Sequence, residues 1–312
     1  MNPLAAKSLA IKNEALRLGF SACGFAKADE LPMHAERLNQ WIDAGYHADM
    51  QYMENYLEMR CDPRELVEGS KTVISLLLNY KSDKSQSDPD APIISKYAYG
   101  TDYHFVMKDK MKELYKWIDQ HYGPIDGRVF VDSAPVLDRA WAVEAGLGWI
   151  GRNSNLINRE LGSFVFIGEL IIDLELEYNT IPESDFCGSC SICIDACPTN
   201  AILNNRTIDS NSCISFLTIE NRAEIPEDFK GKLENRMFGC DICQDVCPWN
   251  QKSLSNDLPE FSPKVELLEM KKEDWYELAK PEFNSLFKNS AVKRAGYEGI
   301  KRNLSFLSPE DK

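Results

Sequence analysis

Apolar residues follow two different periodicities in the first part of the chain. Residues 71–80 and 127–131 are apolar and rich in β-branched side chains, which predicts two buried strands. Residues 163–176 have the same character and predict a third strand, with a bend at Gly168. Apolar positions at helical spacing predict three helices, over residues 4–18, 34–44 and 104–121. Because strands and helices alternate, we expect a layered α/β sheet.

Turn and helix-end signals, together with the cysteine-rich block, divide the chain into three regions. A helix is predicted over residues 135–146, since Pro135 suits a first helical position and Gly146 suits a stop. The polar, proline-containing residues 82–92 predict a surface loop. We expect an α/β domain, a cysteine-rich domain and a small helical C-terminal segment, over residues 1–180, 181–252 and 253–312.

Composition and charge restrict the class of protein. The chain has 312 residues, 44% hydrophobic and 27% charged, as in folded soluble proteins. No stretch approaches the roughly 18–20 apolar residues that span a bilayer, and charges interrupt the first helix as they would not in a signal peptide. We therefore expect a cytoplasmic protein with no membrane partner. The net charge of −14 argues against a general nucleic-acid binder, although it leaves room for a local basic patch.

The cysteines indicate metal chemistry. Ten cysteines in a cytoplasmic chain favour metal binding over disulfides, because thiols are kept reduced there. Eight of the ten lie between Cys187 and Cys247. Cys23 and Cys61 stand apart, and we expect them to be small apolar residues of the interior rather than ligands.

The spacing of the clustered cysteines is that of a bacterial ferredoxin. The first run separates its four cysteines by two, two and three residues and ends in Cys197-Pro198, the pattern that holds a 4Fe–4S cluster. The second run ends in Cys247-Pro248 but lacks its first cysteine, because Met237 stands at that position. Cys213 is the only spare cysteine nearby, so we assign the missing ligand to it.

Exchange of the fourth ligands between the two runs, as in two-cluster ferredoxins, predicts two sets of four thiolates. The first set is Cys187, Cys190, Cys193 and Cys247. The second set is Cys197, Cys213, Cys240 and Cys243. Zinc is the alternative, but zinc sites use paired CxxC knuckles and often histidine, and no histidine follows His121.

Several stretches resemble the epoxyqueuosine reductases, a family of cobalamin-dependent iron–sulfur enzymes. They are VDSAPVLDRAWAVEAGLGWIGRNSNLI at residues 131–157, GSFVFIGEL after it, and the cysteine block with CISFLTIENR and RMFGCDICQDVCPWN. The resemblance implies an N-terminal cobalamin-binding domain distantly like nitroreductases, a two-cluster ferredoxin-like domain and a short helical C-terminal region. It also implies that reduced cobalamin, supplied with electrons by the clusters, removes the epoxide oxygen of epoxyqueuosine in tRNA as water.

Asp132 is the candidate catalytic residue. It follows the predicted strand 127–131, so we expect it at a carboxyl end of the sheet, where α/β sheets bind ligands. Removing an oxygen as water requires protons, which a carboxylic acid with a raised pKa could supply. The resemblance places the family's proton donor at Asp132. The alternative is a cap on the turn before Pro135, and His104 is either a cleft residue or a structural histidine.

The resemblance also implies cobalamin contacts. The Asp-x-His-x-x-Gly motif that places a histidine beneath cobalt is absent from the sequence, and the family binds the cofactor without a protein ligand below the metal. Contacts carried over by position are Arg60, Ser95, Asp132, Asn153, Leu156 and Ile167, with Ser215 beside the second cluster. The alternative is a core position for Leu156 and Ile167 and a surface charge for Arg60.

Residues 280–304 are the candidate contact with tRNA. They hold six cations against two glutamates, a local charge of +4, and phosphate contacts supply most sequence-independent affinity for nucleic acids. The cations are Lys280, Lys288, Lys293, Arg294, Lys301 and Arg302. A solvated helix face is the alternative.

The expected partners are a tRNA with a queuosine-type anticodon and an external low-potential electron donor, and we expect a monomer. Two other functions compete with this interpretation. A corrinoid reductase of a small molecule such as an organohalide would leave the basic stretch without a purpose. A ferredoxin-type electron carrier would leave the segment around Asp132 without one.

Overall fold

The computed structural model describes residues 2–179 and 184–308. The domain boundary expected at residue 180 lies outside the described residues. The strands are β1 (Ala22–Lys27), β2 (Thr72–Asn79), β3 (Ile93–Ile94), β4 (Gly127–Phe130), β5 (Trp149–Ile150), β6 (Leu156–Ile157), β7 (Val165–Ile172) and β8 (Arg236–Phe238). The helices are α1 (Pro3–Arg17), α2 (Pro32–Asp43), α3 (Leu57–Cys61), α4 (Tyr103–Tyr122), α5 (Asp138–Glu144), α6 (Ile192–Asp195), α7 (Ile214–Ile219), α8 (Ile242–Asp245), α9 (Pro248–Lys252), α10 (Val265–Glu269), α11 (Lys272–Glu277), α12 (Lys280–Leu286) and α13 (Gly296–Leu307).

The central sheet has the strand order β1-β2-β7-β4. The three strands expected from the sequence are confirmed, and β1 joins them at one edge. Every neighbouring pair in this sheet is antiparallel. Asp132 follows the carboxyl end of β4 as expected, but the rule that ligands bind at the carboxyl ends of the strands does not apply here, because it belongs to parallel sheets. The carboxyl ends of β2 and β4 nevertheless point the same way, since both strands run antiparallel to β7 between them.

Both faces of this sheet are covered, which explains the continuous apolar run of β2. Ile74 and Leu76 pack in one cluster with α1 and α4. Val73 and Leu77 point to the other face and pack in a second cluster with α5. Alternating side chains of a strand lie on opposite faces, so a strand between two helical layers is apolar at nearly every position. The result is the expected layered α/β arrangement.

Gly168 lies in the middle of β7 without bending it. The pairing of β2 with β7 runs in unbroken register past Leu76 and Gly168. A Cβ atom at Gly168 would approach Met107 Cε and Met111 Sδ of α4 to 2.8 Å. The glycine therefore serves close packing of α4 on the sheet rather than a bend.

Helix α5 starts later than expected. It begins at Asp138, so the assignment of Pro135 to a first helical position is wrong. The stop is as expected: Ala145 ends the helix and Gly146 follows with φ +73°, a left-handed conformation that glycine adopts without strain. Residues 131–137 are thereby free to form the loop that carries Asp132.

A second core lies in the C-terminal part of the chain. Residues 91–99 leave the first region and pack there, with β3 pairing parallel to β8. Met237, the position of the missing cysteine, is fully buried in this core among side chains of α11 to α13. Asn303 of α13 donates a hydrogen bond to its backbone carbonyl at 2.8 Å. The side chain at position 237 therefore belongs to the packing of β8, which accounts for an apolar residue there.

Among the residues that the structure describes, no helix is both long and apolar enough to cross a membrane.

Candidate active site

Asp132 lies in a loop directly after β4 and adopts an uncommon backbone conformation. Its φ is +54°, a left-handed value that residues other than glycine seldom adopt outside special sites. Tyr103 donates its hydroxyl proton to Asp132 Oδ2 over 2.7 Å, and His104 Nε2 lies 3.4 Å from the same oxygen. The interactions of this carboxylate are with side chains, which does not fit a role as a turn cap.

The first turn of α4 supplies both partners of Asp132. Asp102 caps the helix, accepting a hydrogen bond from the His104 backbone N–H at 3.0 Å. The same carboxylate lies 2.8 Å from His104 Nδ1, so the imidazole bridges Asp102 and Asp132. The Tyr103 ring stacks on Phe166 of β7 with centroids 4.3 Å apart. The helix cap and the stacking together hold both side chains in place beside the carboxylate.

The electrostatics of this group differ from the expectation in one respect. Surrounding protein atoms partly desolvate the Asp132 carboxyl group and raise its pKa, but the hydrogen bonds of His104 and Tyr103 outweigh this effect and leave that pKa below its usual value. The expectation of a raised pKa for Asp132 is thus wrong while its side chain is uncovered and 62% exposed. Burial lowers the pKa of His104, yet Asp102 and Asp132 raise it to about 9. At neutral pH the proton therefore resides on His104.

More residues of the cleft come from distant parts of the chain. Tyr97 lies edge-on to Tyr103 at 6.3 Å, and burial followed by the charge of Asp132 raises its pKa well above the usual value. Arg294 pairs with Glu220 through two hydrogen bonds of 2.9 and 2.7 Å. The charge of Asp132 also acts on this guanidinium, less strongly than Glu220 and Tyr52. One member of the basic stretch thus lies within electrostatic range of the candidate catalytic residue.

A pair of buried carboxyl groups lies beneath this loop. Glu169 on β7 is fully buried, and Asp138 at the start of α5 is its neighbour. Burial raises the pKa of Glu169 well above its usual value and that of Asp138 to about 6, each helped by repulsion from nearby carboxylates. Ser75 lies directly opposite Glu169 in the sheet. Among the described residues, both carboxyl oxygens of Glu169 are buried without a hydrogen-bond partner, so burial and repulsion from Asp138 disfavour its charged form.

Glu169→Gln is expected to flatten the pH dependence of stability. Because the folded pKa of Glu169 is raised, the folded state holds a proton that the unfolded chain releases above about pH 4.3, so unfolding free energy falls as pH rises from there. Glutamine is neutral at every pH and therefore removes this loss. We expect Tm of the holoprotein at pH 8 to rise by roughly 2–5 °C. Thermal unfolding between pH 5 and 8, with Glu113→Gln on the exposed face of α4 as control, measures the effect. An unaltered pH profile would contradict it.

The structure brings the first set of cysteines together. Cys187, Cys190, Cys193 and Cys247 line one cavity of about 250 Å³, many times the roughly 10–15 Å³ that one water needs. Burial raises the pKa of the Cys247 thiol, and the neighbouring thiols of Cys187 and Cys190 raise it further. Trp149 Nε1 donates to Cys187 Sγ over 3.5 Å. The four thiols are thus neighbours across a gap of 53 residues between Cys193 and Cys247.

Members of the second set also lie together, since Cys213 and Cys240 pack against one apolar cluster. Burial raises the pKa of Cys240 to about 12, and the Cys213 thiol contributes. After burial, the thiols of Cys240 and Cys213 raise the pKa of Cys243, and the thiol of Cys197 raises the pKa of Cys213. The backbone N–H groups of Phe216 and Ser215 donate toward the Cys213 sulfur. In residues 2–179 and 184–308, no group of three or more His, Cys, Asp and Glu side chains could hold a single metal ion.

The candidate cobalamin contacts occupy different environments. Arg60 is buried and donates to the carbonyls of Asn55 and Tyr52 at 3.0 and 2.7 Å, so it is not a surface charge. Ser95 is buried and donates to Asp241 next to the second cysteine set. Asn153 donates to the carbonyl of Cys243 at 3.3 Å. The residues considered as candidate cobalamin contacts therefore extend from α3 to the cysteine block.

The other three candidates lie nearer the sheet and the helices. Leu156 is 2% exposed within the core beneath α5, and Ile167 is half-buried at its margin. Ser215 is half-buried beside Cys213. Of the two isolated cysteines, Cys23 is buried in the sheet core, as expected, and Cys61 is half-buried.

Sequence reasoning missed Tyr103, Asp102 and the Glu169–Asp138 pair. The motif Asp102-x-His104 before an apolar helical pattern is a helix-cap signal that could have pointed to the first turn of α4. The sequence around Glu169 carries no signal of the buried pair, because its partner Asp138 lies in a different element.

Two family profiles match the chain. The profile described as "Epoxyqueuosine reductase QueG, DUF1730" matches residues 60–133, which end just after Asp132. The profile described as "4Fe-4S double cluster binding domain" matches residues 186–250, which contain all eight clustered cysteines. An epoxyqueuosine reductase of Cellulophaga algicola is 51% identical over 98% of this chain and 100% of its own length.

The chain belongs to the epoxyqueuosine reductase family. The resemblance found in the sequence is thereby confirmed.

Further relatives agree with this family. The epoxyqueuosine reductase of Pseudomonas aeruginosa is 39% identical over 95% of this chain and 83% of its own length. A crystal structure of epoxyqueuosine reductase with an epoxyqueuosine-modified stem loop of tyrosine tRNA matches with a TM-score of 0.89 and 30% identity, covering 96% of this chain and 80% of that one. The catabolic reductive dehalogenase NpRdhA, at 18% identity and a TM-score of 0.53, shares the fold alone, covering 97% of this chain and 38% of that one.

Proposed function

We propose that this protein reduces epoxyqueuosine to queuosine in tRNA, with two 4Fe–4S clusters and cobalamin as cofactors. The observation that carries the proposal is the exposed Asp132 carboxylate held by Tyr103 and His104, together with two sets of four cysteines, in a chain of this family. An electron carrier would need the cysteines but not the proton-holding group. An organohalide reductase remains the alternative, supported by the fold shared with reductive dehalogenases.

The residues present fit the two clusters. Each 4Fe–4S cluster takes one thiolate per iron, and the chain offers two neighbouring sets of four. Helix α6, which carries Cys193, contacts α8, which carries Cys243, so clusters held by the two sets could pass electrons between them. The ferredoxin spacing of the first run and the match to a double-cluster profile support clusters over zinc.

The candidate contacts also fit a cobalamin. Arg60, Ser95, Asn153, Ser215, Leu156, Ile167 and Asp132 offer guanidinium, hydroxyl, amide and apolar groups, without an imidazole or thiol to occupy a cobalt position. Such groups suit the amides and apolar faces of a corrin. When bound, reduced cobalamin supplies the electrons for cleavage of the carbon–oxygen bonds. The distant likeness to nitroreductases belongs to this proposal.

The residues of the chain would supply the protons. Conversion of an epoxide to an alkene and water takes two electrons and two protons. His104 holds a proton at neutral pH, 3.4 Å from Asp132, while Tyr103 fixes the carboxylate. A substrate that covers the cleft removes water from Asp132, which favours its protonated form. One proton can then pass from His104 Nε2 through Asp132 to the departing oxygen, and a second, which His104 takes up from solvent, follows the same route and completes the water. Asp102 stabilises the imidazolium before each transfer.

The basic stretch offers fewer free charges to tRNA than its sequence suggests. Lys280 pairs with Glu298 at 3.2 Å, and Arg294 pairs with Glu220. Lys301 donates to the Tyr276 carbonyl, and Arg302 to several backbone carbonyls. Lys288 and Lys293 are exposed and have no ion pair within the described part of the chain. We therefore place the phosphate contacts at these two lysines, beside Arg294 and the cleft.

Lys288→Glu/Lys293→Glu is expected to weaken binding of the tRNA and to reduce the slope of log affinity against log salt by about 1–2. The charge reversal leaves the cleft, the cysteines and the C-terminal core untouched. Fluorescence anisotropy with labelled tRNA at several salt concentrations measures both quantities. Lys112→Glu/Lys116→Glu on α4 changes the charge equally and is the control. If the two double variants bind alike, the RNA surface lies elsewhere.

The function itself is tested by product analysis. The anaerobic holoprotein is incubated with a low-potential chemical reductant and tRNA carrying epoxyqueuosine. The tRNA is then digested and its nucleosides are identified by mass spectrometry. We expect queuosine, formed only when cobalamin is present. Loss of halide from an organohalide without any queuosine would favour the alternative. Full cluster iron with neither activity would favour an electron carrier.

A further inference from the structure

The cavity of the first cysteine set has a charge opposite to that of the protein. It is lined by two charged side chains, Arg152 and Lys252, and both are cations. Arg159 lies close by, with its guanidinium 5.0 Å from the centre of the Phe186 ring. The chain as a whole carries −14. A concentration of cations around one cavity of such an acidic protein is a specific feature rather than a consequence of composition.

The cations around this cavity form no ion pair within residues 2–179 and 184–308, where no carboxylate pairs with Arg152, Arg159 or Lys252. The nearby Asp185 pairs with Arg206 instead. Arg152 donates to the Gly188 carbonyl at 2.8 Å, in the loop that carries the first cysteines. The three charges are therefore available to a partner.

Exposed apolar side chains lie between the cations. Phe186 is 41% exposed and Ile192 is 46% exposed. Phe186 contacts Trp149 and Trp249 with ring centroids 5.2 and 5.9 Å apart. A small apolar centre framed by charges is the anatomy of a transient protein–protein interface, in which charge complementarity governs the rate of encounter.

The first cysteine set is the one that opens at this surface. Its four cysteines line the cavity, whereas Cys213 and Cys240 of the second set pack against the apolar cluster of Ile214, Leu217 and Ile242. The second set lies toward Ser95 and the cleft through Asp241. Electrons that arrive at this surface would therefore meet the first set, then the second set, and then the catalytic cleft.

We propose that this surface, which we call the input face, binds a small acidic one-electron carrier protein. The input face consists of Arg152, Arg159, Phe186, Ile192, Trp249 and Lys252. The carrier has negative charges around its exposed redox group, which complement the cations and bring that group to the first cysteine set. The inference rests on the proposed function, because it requires a cluster there.

The electron balance is simple. A 4Fe–4S cluster held by Cys187, Cys190, Cys193 and Cys247 would accept one electron from the reduced carrier, which would leave in its oxidised form. Two such encounters supply the two electrons that one epoxide consumes. A carrier that must dissociate after each electron needs fast, weak binding, which steering by opposite charges provides.

Arg159→Glu/Lys252→Glu tests the input face in the holoprotein with both clusters. The probe is a reduced flavodoxin, an acidic carrier, and stopped-flow absorbance measures the second-order rate of cluster reduction. We expect the rate at low ionic strength to fall about 10-fold or more, and its salt dependence to flatten. Lys112→Glu/Lys116→Glu is the control of equal charge. Iron content and reduction by dithionite, which needs no docking, should match the wild type.

The outcomes separate this inference from the proposed function. A variant that accepts electrons from flavodoxin as fast as the wild type would overturn the input face. So would a variant that loses tRNA affinity but keeps the carrier rate, because the cations would then form an RNA surface. A charge-dependent carrier rate in a protein that makes no queuosine would support the input face while the proposed function fails.

Discussion

Replacing Asp132 by asparagine is expected to slow the formation of queuosine by about 10²–10⁴-fold, the range that general acids contribute. Asparagine keeps the size of the side chain and can still accept the hydrogen bond that Tyr103 donates over 2.7 Å. It cannot carry a proton from His104 to the departing oxygen. Single-turnover kinetics with tRNA carrying epoxyqueuosine measures the chemical step without interference from product release.

Two measurements separate a catalytic from a structural role for Asp132. Iron content and cobalamin affinity should match the wild type, as they should in Asp109→Asn on the exposed part of α4. The wild-type rate should fall as pH rises through about 9, because His104 then loses the proton that it holds. In Asp132→Asn this fall in rate with rising pH should be absent. A wild-type rate in the variant would mean that Asp132 is structural.

The second large effect is expected at Cys213. Cys213→Ala should lose or degrade the second cluster, so that iron falls toward half of the wild-type content. Met237 occupies the template position and is packed in the C-terminal core, while the two cysteines outside the block lie in the sheet core (Cys23) and at the end of α3 (Cys61). Iron analysis and low-temperature electron paramagnetic resonance of the reduced protein measure the loss.

Cys23→Ala is the matched control for Cys213→Ala. Cys23 is 2% exposed in the sheet core, far in sequence from the cysteine block. Its replacement should cost some stability but leave the iron content full. Equal iron in the two variants would contradict the exchange of fourth ligands. Cys213→Ser, in which oxygen replaces sulfur, should give an intermediate result.

The cysteines could be predicted from the sequence, whereas most of the residues around Asp132 could not. The eight cysteines were found because a cluster needs ligands at fixed short spacings, and such spacings are visible in one chain. The cleft was found only through Asp132. Its partners Tyr103 and His104 come from a different element, 29 and 28 positions away, and no spacing rule connects them.

The pKa of Asp132 shows the same limit. A carboxylate next to an apolar cofactor suggested a raised pKa, but the value in the free cleft is lowered by His104 and Tyr103. Residues 280–304 also offer less free positive charge than their sequence suggested, because Arg294 is paired with Glu220 and Lys280 with Glu298. The charge available to a partner depends on which carboxylates fold against it, and sequence counts do not contain that information.

The sequence by itself determined the three strands of the sheet, the long helices, the glycine stop of α5 and the two cysteine runs. Each of these depends on interactions between residues close in the chain, where periodicity and backbone preference decide. Only the tertiary structure decided the antiparallel order of the sheet, the neighbours of Cys213, the bridging of Asp102 and Asp132 by His104, and the buried Glu169. These depend on contacts between distant segments, whose free energy comes from burial and charge in three dimensions.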